Sequence, residues 1–208
     1  MKGTTHAILG GTGGLIVSQT IAADPSISLL LIGIGCVAGL VPDMDIDGKL
    51  SNKITFSHRI VKTIVQLIGG FLAFQGLFHD DKGGQLISIV IGVCLILLST
   101  FIRQRHMLTF TGIGVFLAGV SLNEVWLILL GIYIVIASFV SHRTYTHSIL
   151  GTIYFAFVAY YLDATYQIEG IFLTCLVGYS SHIIADMKFL PSNKRGVKLF
   201  LPFSKKEF

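Results

Sequence analysis

Eight apolar stretches alternate with short polar breaks along the chain, near residues 5–23, 26–41, 60–78, 85–102, 107–121, 124–140, 147–162 and 169–189. At about 1.5 Å rise per residue, stretches of roughly 16–22 residues are long enough to cross a hydrocarbon layer of about 30 Å. The pattern therefore predicts an all-α, polytopic membrane helix bundle of about eight transmembrane helices in one domain covering 1–208, with 188–208 as a basic tail. The breaks carry turn chemistry. Asp24-Pro25 separates the first two stretches, because proline disfavours a helical residue before it, and Pro42 ends the second.

Composition agrees with the pattern. Of the 208 residues, 53% are hydrophobic and only 12% are charged, half the charged share of an average soluble domain, about 25%. The first stretch is an unsuitable secretory signal, because His6 and Gly10-Gly11-Thr12-Gly13-Gly14 interrupt its apolar core. The same glycines are no phosphate-binding loop: no strand precedes them and no Gly-Lys-Ser/Thr follows. They are the small residues that let membrane helices approach closely. Cys36, Cys94 and Cys175 each lie inside an apolar run without Cys-x-x-Cys spacing, so no disulfide or thiolate metal site is expected.

Charge sets an orientation. With eight spans, the N-terminus, the 42–59 loop, the 103–106 and 141–147 turns and the tail share one side. Of the fifteen Lys and Arg residues, Lys82 alone falls opposite. The positive-inside rule makes the basic side cytoplasmic and both termini with it, in a multi-pass cell-membrane protein. The sequence pI near 9.0 does not indicate nucleic acid, since the basic residues are spread over juxtamembrane loops that meet anionic lipid head groups.

Against this background four polar sets stand out, all at span ends on the cytoplasmic side: His6; Asp43 and Asp45; His142, Arg143 and His147; and His182 with Asp186. The last two are four residues apart and share a helix face. Ionisable groups at membrane depth are costly and generally partnered. Histidines and aspartates together form a mixed nitrogen and oxygen ligand set suited to zinc first, with manganese or iron as alternatives. The expected metal ligands are His6, Asp43, Asp45, His147, His182 and Asp186, enough for two ions. His147 is expected to open the seventh helix. His142 and Arg143 are the expected catalytic pair, the first as ligand or proton carrier and the second as a planar fork for a phosphate oxygen. Ser57-His58-Arg59 repeats the tripeptide Ser141-His142-Arg143, which makes His58 and Arg59 candidate substrate contacts.

Taken together, Pro42-Asp43-Met44-Asp45, His142-Arg143-Thr144-Tyr145-Thr146-His147-Ser148 and Gly178-Tyr179-Ser180-Ser181-His182-Ile183-Ile184-Ala185-Asp186, with His6 before them and Gly196–Phe203 after, are dispersed over nearly the whole chain. They resemble the YdjM-like, LexA-regulated, membrane-bound metal-dependent hydrolases, and the chain is more distantly similar to zinc phospholipase C enzymes, which cleave phosphoesters. Members of the family often carry glycine where Thr144 stands and histidine where Ile46 stands, with Asp47 the neighbour able to substitute for the latter. The resemblance implies a hydrolase. With the site at helix ends, where head groups are met first, the expected substrate is a phosphoester of a lipid or lipid-linked molecule, and membrane lipids are the expected partners. The alternative is a metal-ion or proton-coupled transporter, whose site would lie nearer the bilayer midplane. A metalloprotease is disfavoured by the absence of His-Glu-x-x-His.

Overall fold

The apolar stretches are helices. The computed structural model describes residues 3–45, 55, 57–78, 81–189, 193 and 195–208, and among these it has eight α-helices, two 3-10 turns and no strand. The helices are α1 (Gly3–Thr20), α2 (Pro25–Ala38), α3 (His58–Gly76), α4 (Lys82–Ser99), α5 (Gln104–Leu122), α6 (Val125–Ala137), α7 (Ile149–Tyr166) and α8 (Ile171–Asp186). The 3-10 turns are Val41–Met44 and Tyr145–His147. Ile46 and Asp47 lie outside the described residues.

Two compact units emerge, residues 1–53 with 108–208, and residues 54–107. In the first, α1 packs on α2, and α8 packs on both and on α7. Glycine makes the α1–α2 approach possible. A Cβ on Gly10 would meet the Gly35 carbonyl oxygen at 2.1 Å, and one on Gly35 would meet Gly10 O at 2.2 Å. This is the close backbone packing small residues allow between membrane helices. Leu31, Ala159, Ile171 and Tyr179 are buried in the resulting core, where Tyr179 stacks on Phe155 at 4.8 Å. In the second unit α3 and α4 meet through Gly69 and Gly92 in the same way, with a Cβ on Gly92 falling 2.4 Å from Gly69 O.

Among the described residues two helices, α4 and α5, are long and apolar enough to cross a membrane. The helices α2, α6 and α8 are apolar but have 14, 13 and 16 residues. Two of them stop short of the stretches expected at identifiable caps: α2 closes at Gly39, ahead of the Pro42 turn, and Ser138, the C-cap of α6, donates back to Val135 O. Leu29, Phe71, Leu98, Phe110 and Phe157 are each well over half exposed. So many exposed large apolar side chains exceed the patches a water-soluble monomer carries and belong against lipid or another apolar surface.

The second expectation to change concerns His147. It does not open the seventh helix. Ser148 is the N-cap of α7, its hydroxyl accepting from Gly151 N at 3.2 Å, so the helix starts at Ile149 and His147 sits in the 3-10 turn before it.

Candidate metal centre

Helix direction alone brings the polar residues of the first unit to one end. His6 lies at the start of α1, Asp43 and Asp45 follow α2, His142 follows α6, His147 precedes α7, and His182 and Asp186 close α8. His6, Asp43, Asp45, His147, His182 and Asp186 are all buried. Tyr179, on α8, fixes the turn between them by donating to Thr146 O at 2.5 Å, and Tyr133 supports it with a 3.1 Å hydroxyl contact.

Hydrogen bonds assign the histidine tautomers. His182 Nδ1 lies 2.7 Å from Gly39 O. A carbonyl only accepts, so Nδ1 carries the proton and Nε2 keeps its lone pair. Thr146 donates its one hydroxyl proton to Asp45 Oδ2 at 3.0 Å. Its oxygen therefore accepts from His147 Nδ1, also at 3.0 Å, which leaves the lone pair of His147 on Nε2. These two Nε2 atoms face each other at 3.1 Å. Two lone pairs repel at that distance, so the pair calls for a cation between them.

The surrounding oxygens fit a metal ion in that role. Asp43 Oδ1 is 3.8 Å from His147 Nε2 and 3.6 Å from His182 Nε2. Asp186 Oδ2 is 3.9 Å from each. A tetrahedron with bonds of about 2.0–2.1 Å has edges of about 3.4 Å, and the five distances bracket that value. The residue sets Asp43–His147–His182, His6–His182–Asp186 and Asp45–His142–His147 each have ligand atoms close enough to hold an ion. His6 stacks on His182 at 3.8 Å, its Nε2 is 3.5 Å from Asp186 Oδ1, and its buried Nδ1 has no hydrogen-bond partner among the described residues.

Asp45 and His142 belong to the third of these sets and also carry hydrogen bonds that tie the centre together. Asp45 is fully buried and takes hydrogen bonds from Thr146 and from His142 Nδ1, at 3.0 and 3.1 Å to its two oxygens. Burial disfavours the charged His142 ring, but the hydrogen bond to Asp45 and the charges of Asp45 and Asp43 outweigh it and raise the His142 pKa. Burial also raises the Asp43 pKa, with the charges of His142 and His6 pulling the other way. Arg143 joins Asp186 Oδ2 at 3.3 Å through Nη2 and donates to Arg195 O at 2.7 Å through Nη1. Its backbone is left-handed, φ 61°, a conformation that costs a non-glycine residue about 1–2 kcal/mol and that the two guanidinium contacts offset.

The chain matches the family model described as YdjM inner membrane protein over residues 1–208. It belongs to that family. Membership in the YdjM inner membrane protein family, together with two membrane-length apolar helices, makes it a membrane protein. No curated protein and no solved structure matches it.

In this YdjM family member a polar cavity of about 630 Å³ opens on the centre, lined by His6, Asp43, His142, Arg143 and Asp186 and walled by Arg195, Lys198 and Glu207. Sequence reading placed the last three in a basic tail. The structure folds that tail back: Phe208 exchanges backbone hydrogen bonds with Val197, Lys188 N donates to Phe208 O, and Ile149 N donates to Leu199 O. The signal available was the Gly196–Phe203 motif, whose glycine sits where a Cβ would meet Phe208 O at 2.0 Å. Thr146 and Tyr179, which the sequence does not single out, also shape the centre and lie within its motifs. His58 and Arg59 open α3 in the second unit, where His58 Nδ1 is 2.8 Å from Gln104 Oε1; the centre in the first unit is built without them.

Proposed function

We propose that this protein is a metal-dependent hydrolase that cleaves a phosphoester of a lipid or lipid-linked substrate at the cytoplasmic face of the membrane. The observation that carries the reading is the 3.1 Å approach of two unprotonated Nε2 atoms, on His147 and His182, inside a ring of buried carboxylates. His147, His182, Asp43 and Asp186 would hold the ion, with His6 beside Asp186 as the ligand for a second. Zinc suits this donor set best. A divalent ion bound there supplies Lewis acidity toward a phosphoryl oxygen and acidifies a bound water.

The chain's own groups do the rest. Asp45 and Thr146 hold His147 with its Nε2 inward, the outer-shell role that tunes a metal-binding imidazole. His142 is the most exposed of the set, its side chain 30% accessible, and lines the cavity. With Nδ1 anchored on Asp45, its Nε2 is the atom free to pass a proton to the leaving group. Arg143, Arg195 and Lys198 give the cavity a positive wall for an anionic phosphoester. Charge supports the location: these basic residues lie at the same helix ends as the centre, and with eight spans the positive-inside rule would put that side, and both termini, in the cytoplasm.

The test is release of phosphate or head group from vesicles of defined phospholipids by the purified, zinc-loaded protein, compared with Asp186→Ala. Metal-dependent release lost in the variant is the expected result. Metal flux into sealed vesicles without hydrolysis, abolished by the same substitution, would replace the reading with a transporter.

A further inference from the structure

A second cavity, of about 690 Å³, runs along α2 and is lined almost wholly by apolar side chains. Its mouth includes the exposed Leu29 and Val37 of α2, and its floor is core: Ala38, Val158, Ala159 and Cys175 are all buried. It is thus an indentation into the first unit rather than the lipid-facing surface of a single helix. Its lining runs from Ser26, at the first turn of α2, to Val41 and Met44 beyond the last. The fourteen residues of α2 amount to about 21 Å at 1.5 Å each, deeper than the roughly 15 Å of one bilayer leaflet.

One turn borders both cavities. Val41 and Met44 line the apolar one, and Asp43, between them in the same 3-10 turn, lines the polar one. The polar cavity carries Arg143, Arg195 and Lys198. A molecule with an anionic end and a long hydrocarbon end matches both, with its polar end at the metal-binding residues. We infer that the α2 cavity is the acyl-chain site of the substrate lipid, and that it selects for long chains. This rests on the hydrolase reading for the identity of the head group, but the chain site has its own test.

Gly33 provides the means. It lines the cavity, and a Cβ built on it meets nothing within 4 Å, so Gly33→Leu or Gly33→Trp places a side chain in the cavity without a backbone clash. Gly114 on α5, also open at Cβ and outside the cavity lining, is the matched control. The purified full chain would be photolabelled in vesicles with phosphatidic acid carrying a diazirine on its acyl chain, and the labelled residues mapped. The expected result is labelling of cavity residues on α2 and α7 that unlabelled long-chain lipid competes away, falls roughly tenfold in Gly33→Trp, falls less in Gly33→Leu and is unchanged in Gly114→Trp, with metal content retained throughout. In parallel, Gly33→Trp should lower kcat/KM for a long-chain phospholipid relative to a short-chain soluble phosphoester by about the same factor. Labelling that is not competed and ignores Gly33 would show contact with bulk lipid only, and cross-links to a second copy would make the cavity an oligomer interface; either overturns the proposal. Specific, Gly33-dependent labelling without any hydrolysis would keep the chain site and remove the hydrolase reading. Hydrolysis indifferent to Gly33 would do the reverse.

Discussion

The two ends of the helices in the first unit use the same acidic residue types to opposite effect. At the turn end three acids are served by neutral donors. Asp24 caps α2 by accepting from Ser26 N and Ile27 N, Glu124 accepts from Thr165, and Asp163 accepts from Phe172 N. At the other end Asp43 is buried and its Oδ1 faces the Nε2 atoms of His147 and His182, which have lone pairs rather than protons to offer, while Asp186 shares its carboxylate between those nitrogens and Arg143. A carboxylate beside N–H and O–H groups is finished. One beside bare nitrogens is placed to share a cation with them. The difference lies in which partners the fold supplies, and the number of acids does not reveal it.

Substitutions graded by position break this comparison from the largest effect downward. Asp186→Ala and His182→Ala each remove a proposed ligand atom from the centre. They should abolish tight metal binding and cut hydrolysis by about a thousandfold or more, the several kcal/mol a metal contributes to charge stabilisation, read by metal analysis and head-group release. Asp45→Asn and Thr146→Val leave the ligands in place but loosen His147. They should weaken metal affinity by about 10–100-fold, measured by competition with a chelator of known affinity. An effect of Asp45→Asn as large as that of Asp186→Ala would move Asp45 from an orienting group to a direct ligand. At the turn end, Asp24→Ala should cost only the cap, about 1 kcal/mol, as a small drop in thermal midpoint with metal content unchanged. Loss of metal in that variant would erase the contrast between the two ends.

Much of this was legible in the sequence because topology does the assembling. Once His6, Asp43, His147, His182 and Asp186 were placed at the ends of alternating helices, an antiparallel bundle had to bring them to one side. The glycines of α1 were legible for the same kind of reason, since only small residues allow the backbone approach at Gly10 and Gly35. What stayed hidden depends on local backbone geometry. The Ser148 cap shifts the start of α7 and turns His147 inward, and the left-handed Arg143 sends its guanidinium to Asp186 and to Arg195 O. The tail's return rests on backbone hydrogen bonds at Val197 and Phe208, of which Gly196 was the one trace in the sequence. Helices are shorter than the apolar runs where a glycine or a hydroxyl group caps a helix inside the run, as at Gly39 and Ser138.

The most direct test of the central claim is the metal content of the protein purified in detergent without added chelator, with thermal unfolding before and after chelation. The account predicts one or two equivalents of a divalent ion, zinc foremost, lost in His147→Ala and His182→Ala, and a thermal midpoint that falls on chelation and recovers when zinc is restored. A protein that holds no metal, takes up none from solution and unfolds at the same temperature with and without chelator would contradict it, and the facing Nε2 atoms of His147 and His182 would then share a proton instead.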